Sequence, residues 1–121
     1  MSHNLVFYQK ENGEIPVQNF LMTLSPKMRA KAFSEIELLK IHGSELREPY
    51  TKPIKGTKNK GLFELRVKFS SDISRIFYFT FKDNTFVLLH GFIKKSQTLP
   101  EREIERARRY KLDYERRCRD E

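Results

Sequence analysis

Residues 61–100 carry the side chains with which this chain could do chemistry. Three runs rich in β-branched and aromatic residues follow one another there, and cations sit inside them or at their ends: Arg66 and Lys68 in the first, Arg75 at the start of the second, Lys94 and Lys95 at the end of the third. Such a group, with no nucleophile of its own, suits the cleavage of an RNA phosphodiester by the neighbouring 2′-hydroxyl. The substrate then supplies the nucleophile. The protein must take the 2′ proton, return one to the leaving 5′ oxygen, and place positive charge on the phosphorane. Arginine suits the last task, because its planar fork grips phosphate with two bonds and stays charged. Lysine serves as base or acid once neighbouring cations lower its pKa from about 10.4. Lys94 and Lys95 meet that condition in sequence, although strand alternation splays adjacent residues to opposite faces. Plain surface decoration is the competing reading of the pair.

Other chemistries find no support. One cysteine, Cys118, and three scattered histidines offer no metal-ligand spacing. There is no glycine-rich phosphate loop, no serine or cysteine with an evident histidine partner, and no pair of carboxylates for glycoside chemistry. Neither a cofactor nor a metal is expected. His90, with an ordinary pKa of about 6.5, suits acid–base work. It lies four residues before Lys94, roughly 13 Å away along a strand at ~3.3 Å per residue. A catalytic and a buried structural role both remain open for it.

These residues need a frame. Polar breaks at Ser70-Ser71-Asp72 and Lys82-Asp83-Asn84 divide residues 61–100 into a three-stranded antiparallel meander. In its first strand Phe63, Leu65, Val67 and Phe69 alternate with Glu64, Arg66 and Lys68, so one face meets hydrocarbon and the other meets solvent or ligand. Arg75 shares parity with Phe77, Phe79 and Phe81, which leaves its face undecided. The third strand is apolar on both faces, as a central strand should be. Upstream, Leu5-Val6-Phe7-Tyr8 predicts a short strand. Val17, Phe20, Leu21 and Leu24 recur at i, i+3, i+4, i+7 and predict a helix. Ser25 as N-cap and Pro26 at the first position begin a second helix with the stripe Met28, Ala32, Ile36, Leu39 and Gly43 as its stop. Its other face, with Lys27, Arg29, Lys31, Glu35 and Glu37, reads as solvated. Residues 44–60 read as a long basic loop, of a length uncommon unless functional. Thr98 and Glu101 have the spacing of a capping box, and a charged helix follows to about Cys118. Its sparse seam, Ala107, Tyr110, Tyr114 and Cys118 with Ile104 beside them, suits docking onto its own sheet or, in part, contact with a partner chain.

The charge is uneven. The chain carries +8, and between residues 47 and 68 seven cations face two acids. A balance of that size makes nucleic acid the leading partner class, with Lys52, Lys55, Lys58, Lys60 and Lys68 as RNA-binding candidates. With 121 residues the chain fits one domain, 1–121. A lone cysteine excludes an internal disulfide and fits a reducing cytosol. No apolar run approaches the ~18 residues of a membrane helix, and no long apolar leader opens the chain. A cytoplasmic protein with no membrane partner is the expectation.

Three segments, Leu62-Phe63-Glu64-Leu65-Arg66, Ser74-Arg75-Ile76-Phe77-Tyr78, and residues 89–100 (LHGFIKKSQTLP), together with Lys52-Pro53-Ile54-Lys55-Gly56 ahead of them, resemble the phage-derived, HigB-like branch of the RelE/ParE toxin superfamily. The likeness follows nearly the whole chain in order of elements. It implies an α+β domain in which an antiparallel-rich sheet, an N-terminal strand plus the meander, carries a helical hairpin on one face and a C-terminal helix. It further implies the toxin of a type II toxin–antitoxin system, a metal-independent endoribonuclease acting on mRNA at the ribosome. Implied partners are ribosomal RNA and a HigA-like helix-turn-helix antitoxin. Under this likeness Arg66 binds the scissile phosphate, Arg75 supports it or the next nucleotide, Lys94 and Lys95 stand at the rim, and Lys55 contacts backbone. The tyrosine that RelE enzymes place after the basic strand end is missing here. Tyr110 or Tyr114 replaces it only if the last helix folds over the groove. Two rivals remain: a ParE-like inhibitor of DNA gyrase, and a binding module without chemistry.

Overall fold

The computed structural model describes residues 3–82, 84–94 and 99–119. Lys95 and Thr98, named above as a rim cation and a helix cap, lie outside the described residues.

A five-stranded sheet forms the centre, with strands β1 (Asn4–Phe7), β2 (Thr51–Pro53), β3 (Leu62–Phe69), β4 (Asp72–Phe81) and β5 (Thr85–Lys94) in the order β1-β5-β4-β3-β2. The meander β3-β4-β5 is antiparallel, and β1 joins β5 in parallel. Three helices complete the fold: α1 (Pro16–Thr23), α2 (Pro26–His42) and α3 (Glu101–Arg119). The start of α2 follows its local signals. Ser25 Oγ accepts a hydrogen bond from the Met28 N–H at 3.2 Å, and Pro26 follows the cap. Gly43 ends it at φ +58°, a conformation that favours glycine.

The sheet divides the hydrophobic interior in two. On one face Leu65, Val67, Ile76, Tyr78, Phe86 and Leu88 meet the stripes of α1 and α2 (Val17, Leu21, Met28, Ala32, Ile36, Leu39). On the other, Leu62, Phe77, Phe79, Val87, Leu89 and Phe92 meet Ile104 and Ala107 of α3, with Tyr8 and Ile54. α3 therefore docks on its own sheet. Tyr8 ties it down, donating to Asp113 Oδ2 at 2.6 Å and stacking on Tyr110.

Two expectations change. Residues 44–60 are not all loop: Thr51, Lys52 and Pro53 pair with Leu65, Glu64 and Phe63, so the basic segment adds an edge strand. Pro53 is tolerated there because an edge strand leaves one row of N–H groups unpaired. Nor is the polar side of α2 uniformly solvated. Arg29 donates to the carbonyls of Leu21, Met22 and Leu24 and so closes the end of α1, while Glu35 is buried beside the stripe.

Candidate nucleic-acid interface

β3 and β4 place Arg66 and Arg75 directly across from one another, both on the face that α3 covers in part. The parity argument for Arg66 holds, and the face of Arg75 is settled with Phe77 and Phe79. Arg75 does not bend outward. It is 2% exposed, with Nη1 3.3 Å from Glu64 Oε1, and Arg66 Nε reaches the same oxygen at 3.7 Å. Glu64 escaped notice as a site residue, although its i, i−2 relation to Arg66 puts it on the same face.

Lys94 arrives on this face through a defect in the ladder. In β5 Phe86 and Leu88 face the hairpin, and alternation would send residues 90, 92 and 94 after them. A register shift opposite Phe77 and Tyr78 pairs Tyr78 with Leu88 but Phe77 with His90, leaving Leu89 as the extra residue. Beyond that bulge the even positions turn over: Phe92 packs under α3, and Lys94 joins the arginines. Re-aiming a side chain is a recognised effect of β-bulges beside functional sites.

The result is a cleft of about 420 Å³ lined by Lys52, Pro53, Ile54, Lys55, Glu64, Arg66, Arg75, Lys94, Leu99 and Ile104. Five cations oppose one carboxylate. The expected open cationic surface is thus a trough between α3 and the β2 edge, walled by Ile54, Leu99 and Ile104. Low-dielectric walls strengthen the field of the cations inside. Burial lowers the pKa of Lys94, and Arg75 lowers it further. Burial likewise lowers that of Arg75, against the pull of Glu64. Arg75 Nε and Nη1 and Glu64 Oε2 are buried with no hydrogen-bond partner among the described residues. A buried guanidinium with idle donors is costly, and its charge at the floor of the trough favours an anion above it.

A family model described as Phage derived protein Gp49-like (DUF891) matches residues 19–111. The chain belongs to this Gp49-like family. The match takes in every residue of the cleft and ends within α3. No curated protein matches the chain.

The remaining candidates of this Gp49-like chain fall elsewhere. Lys58 and Lys60 are exposed beyond the cleft, and Lys60 lines a separate shallow hollow with Gly56 and Gly61. Lys68 sits at the open end of β3, in a pocket it shares with Arg66. His90 is buried, with Nε2 2.9 Å from Glu103 Oε1 on α3; burial lowers its pKa, and Glu103 opposes the shift. Tyr110 lies against Tyr8 and His90, and Tyr114 against Phe79 and Phe81. α3 does fold over the sheet, but its tyrosines serve the interior far along the helix and do not line the cleft. Asn59 was not anticipated. It is buried, donates to the Lys55 carbonyl at 2.7 Å and accepts from Arg108 Nη1 at 2.6 Å, so it pins the basic segment to α3. Among the described residues no three His, Cys, Asp or Glu side chains gather as a metal site, and no helix is long and apolar enough to cross a membrane.

Proposed function

We propose that this Gp49-like chain is the toxin of a type II toxin–antitoxin system and cleaves mRNA at the ribosome without a metal. The observation that supports this most is the joint placement of Arg66, Arg75, Lys94, Lys52 and Lys55 in one trough with unsatisfied buried donors. In this reading the scissile phosphate lies against Arg66 and Arg75. Their forks hold its non-bridging oxygens and strengthen their hold as charge builds on the phosphorane. Lys94, pushed toward its neutral form by burial and by Arg75, takes the 2′ proton. Lys52, whose charge acts on Lys94, donates to the departing 5′ oxygen. The products are a 2′,3′-cyclic phosphate and a 5′-hydroxyl. The partners of this reading are mRNA, ribosomal RNA and a HigA-like helix-turn-helix antitoxin that covers the trough.

Primer extension on translated mRNA after induction tests the proposal. New 5′ ends, absent in Arg66→Ala, are expected. Growth arrest without new ends, joined to loss of DNA supercoiling activity by gyrase, would instead place the chain with ParE-like inhibitors.

A further inference from the structure

A second hollow, of about 270 Å³, opens where β2 stops covering β3. It is lined by Lys31, Glu35, Pro49, Tyr50, Arg66, Lys68 and Ile73. β2 pairs only with residues 63–65 of β3; the Arg66 N–H then donates to the Tyr50 carbonyl at 2.8 Å, and beyond it β3 is bare. Arg66 belongs to both hollows, so a chain whose phosphate rests in the trough can continue into this one.

Three features mark the hollow as more than a gap at a sheet edge. Tyr50 presents a large ring, 40% exposed, on a backbone held at both ends: its N–H donates to the Arg47 carbonyl at 3.0 Å and its carbonyl accepts from Arg66. Lys31, Arg66 and Lys68 surround it with positive charge. Beside them Glu35 is 4% exposed, and its Oε2 has no hydrogen-bond partner among the described residues. Its Oε1 lies 3.1 Å from Lys31 Nζ. A buried carboxylate with an idle oxygen, among cations, on an otherwise apolar helix stripe, is a group held for a donor. Lys31, on the other oxygen, is 44% exposed in its side chain, so moving it off that oxygen disturbs no buried contact.

We infer that this hollow is a nucleobase subsite, in which Tyr50 stacks on a base flanking the scissile phosphate and Glu35 accepts a hydrogen bond from that base's amino group. Single-stranded RNA is read in this manner, by stacking on aromatic rings and by hydrogen bonds to exposed base edges. A carboxylate acceptor selects cytosine, adenine or guanine. It rejects uracil, whose single edge donor, N3–H, lies between two carbonyl oxygens that repel it. Glu35 is thus a specificity residue at one side of the cut. The inference draws its biological meaning from the nuclease reading of the trough, but base binding stands or falls by itself.

The test is a titration of the isotopically labelled full-length chain with the four ribonucleoside 3′-monophosphates, and separately the four 5′-monophosphates, followed through backbone amide resonances. Inorganic phosphate is the control and should move Arg66 but not Tyr50 or Glu35. The nucleotides should move Tyr50, Glu35 and Arg66 together, with uridine weakest by about fivefold or more. Tyr50→Ala should weaken all four by about fivefold or more, the order set by one stacked base, and Tyr50→Phe should not. Glu35→Leu should bring uridine level with the rest. Equal affinity for all four bases in the wild type, wild-type binding by Tyr50→Ala, or shifts confined to the trough would each overturn the subsite. Should Glu35→Leu fail to fold, the wild-type ranking and the two Tyr50 variants still decide. A chain that binds bases here yet cuts no RNA keeps the subsite and loses the nuclease; one that cuts RNA with Tyr50 and Glu35 unresponsive does the reverse.

Discussion

Arg66 and Arg75 face each other across two strands and are assigned the same chemistry, yet their removal should harm the protein in different ways. Arg75 is 2% exposed and lies 3.3 Å from Glu64, itself 4% exposed. Arg75→Met strands a buried carboxylate, and losing one partner of such a pair costs about 3–5 kcal/mol. Arg66 stays near Glu64 at 3.7 Å and softens the loss, so the low end, about 3 kcal/mol, applies. For a chain of this length that is a fall in Tm of roughly 12 °C, at about 4 °C per kcal/mol. Arg66→Ala removes a side chain 31% exposed and leaves the buried pair intact. An ion pair so placed is worth at most about 1 kcal/mol, or about 4 °C. Both variants should lose RNA cleavage by about 10²- to 10³-fold, as when one transition-state donor is removed. The double variant Glu64→Leu/Arg75→Met separates the effects, since replacing both members of a buried pair by hydrocarbon restores stability while cleavage stays lost. Thermal melts by circular dichroism and single-turnover cleavage read the two axes. Equal melting of Arg66→Ala and Arg75→Met, or wild-type cleavage by Arg66→Ala, would refute the division of roles.

Other expectations follow from neighbouring groups. With Lys94 as base and its pKa lowered, cleavage should rise with pH along a limb centred below the ordinary lysine value of 10.5. Lys94→Arg should abolish that limb and most of the rate while keeping RNA binding; an unchanged pH profile would exclude Lys94 as the base. His90 has a folded pKa depressed below its unfolded 6.5, so below that value the unfolded chain binds more protons. Stability should be full above about pH 7 and decline as pH falls through 6, and Tm against pH should be flatter in His90→Gln. Gly91→Ala would press a methyl into the Phe20 ring, whose Cε2 and Cγ would lie 2.9 Å from it. A loss of about 1–3 kcal/mol in denaturant titration is expected. Asn59→Ala removes the bonds to the Lys55 carbonyl and from Arg108 Nη1, while Arg108 Nη2 keeps Glu101. It should cost about 1–3 kcal/mol and weaken RNA binding, measurable by fluorescence anisotropy.

Much of this protein was legible along the chain, because the signals concerned are local. The stripe of α2, its Ser25-Pro26 start and its Gly43 stop lie within a few residues of the groups they govern. The strict alternation of Phe63, Leu65, Val67 and Phe69 with Glu64, Arg66 and Lys68 assigns two faces to β3 before any partner strand is known. Uneven charge marked the basic segment in the same way. The motif likeness ordered the elements and proposed the arginines, and the strand, two helices, meander and final helix follow in that order in the structure.

What stayed hidden depended on which strands meet and in what register. The pairing of Thr51, Lys52 and Pro53 with β3 is a long-range choice, and a three-residue strand with a proline carries almost no pattern of its own. The burial of Arg75 follows from β4 lying mid-sheet under α3, and the enclosure of Glu35 from α2 lying close over β3. Above all, Lys94 meets Arg66 and Arg75 because one extra residue in β5, Leu89, reverses the parity of everything after it. Side-chain direction in a strand has a period of two, so a single unpaired residue turns the rest of the strand over. The ladder on both sides of β5 decides where that residue sits.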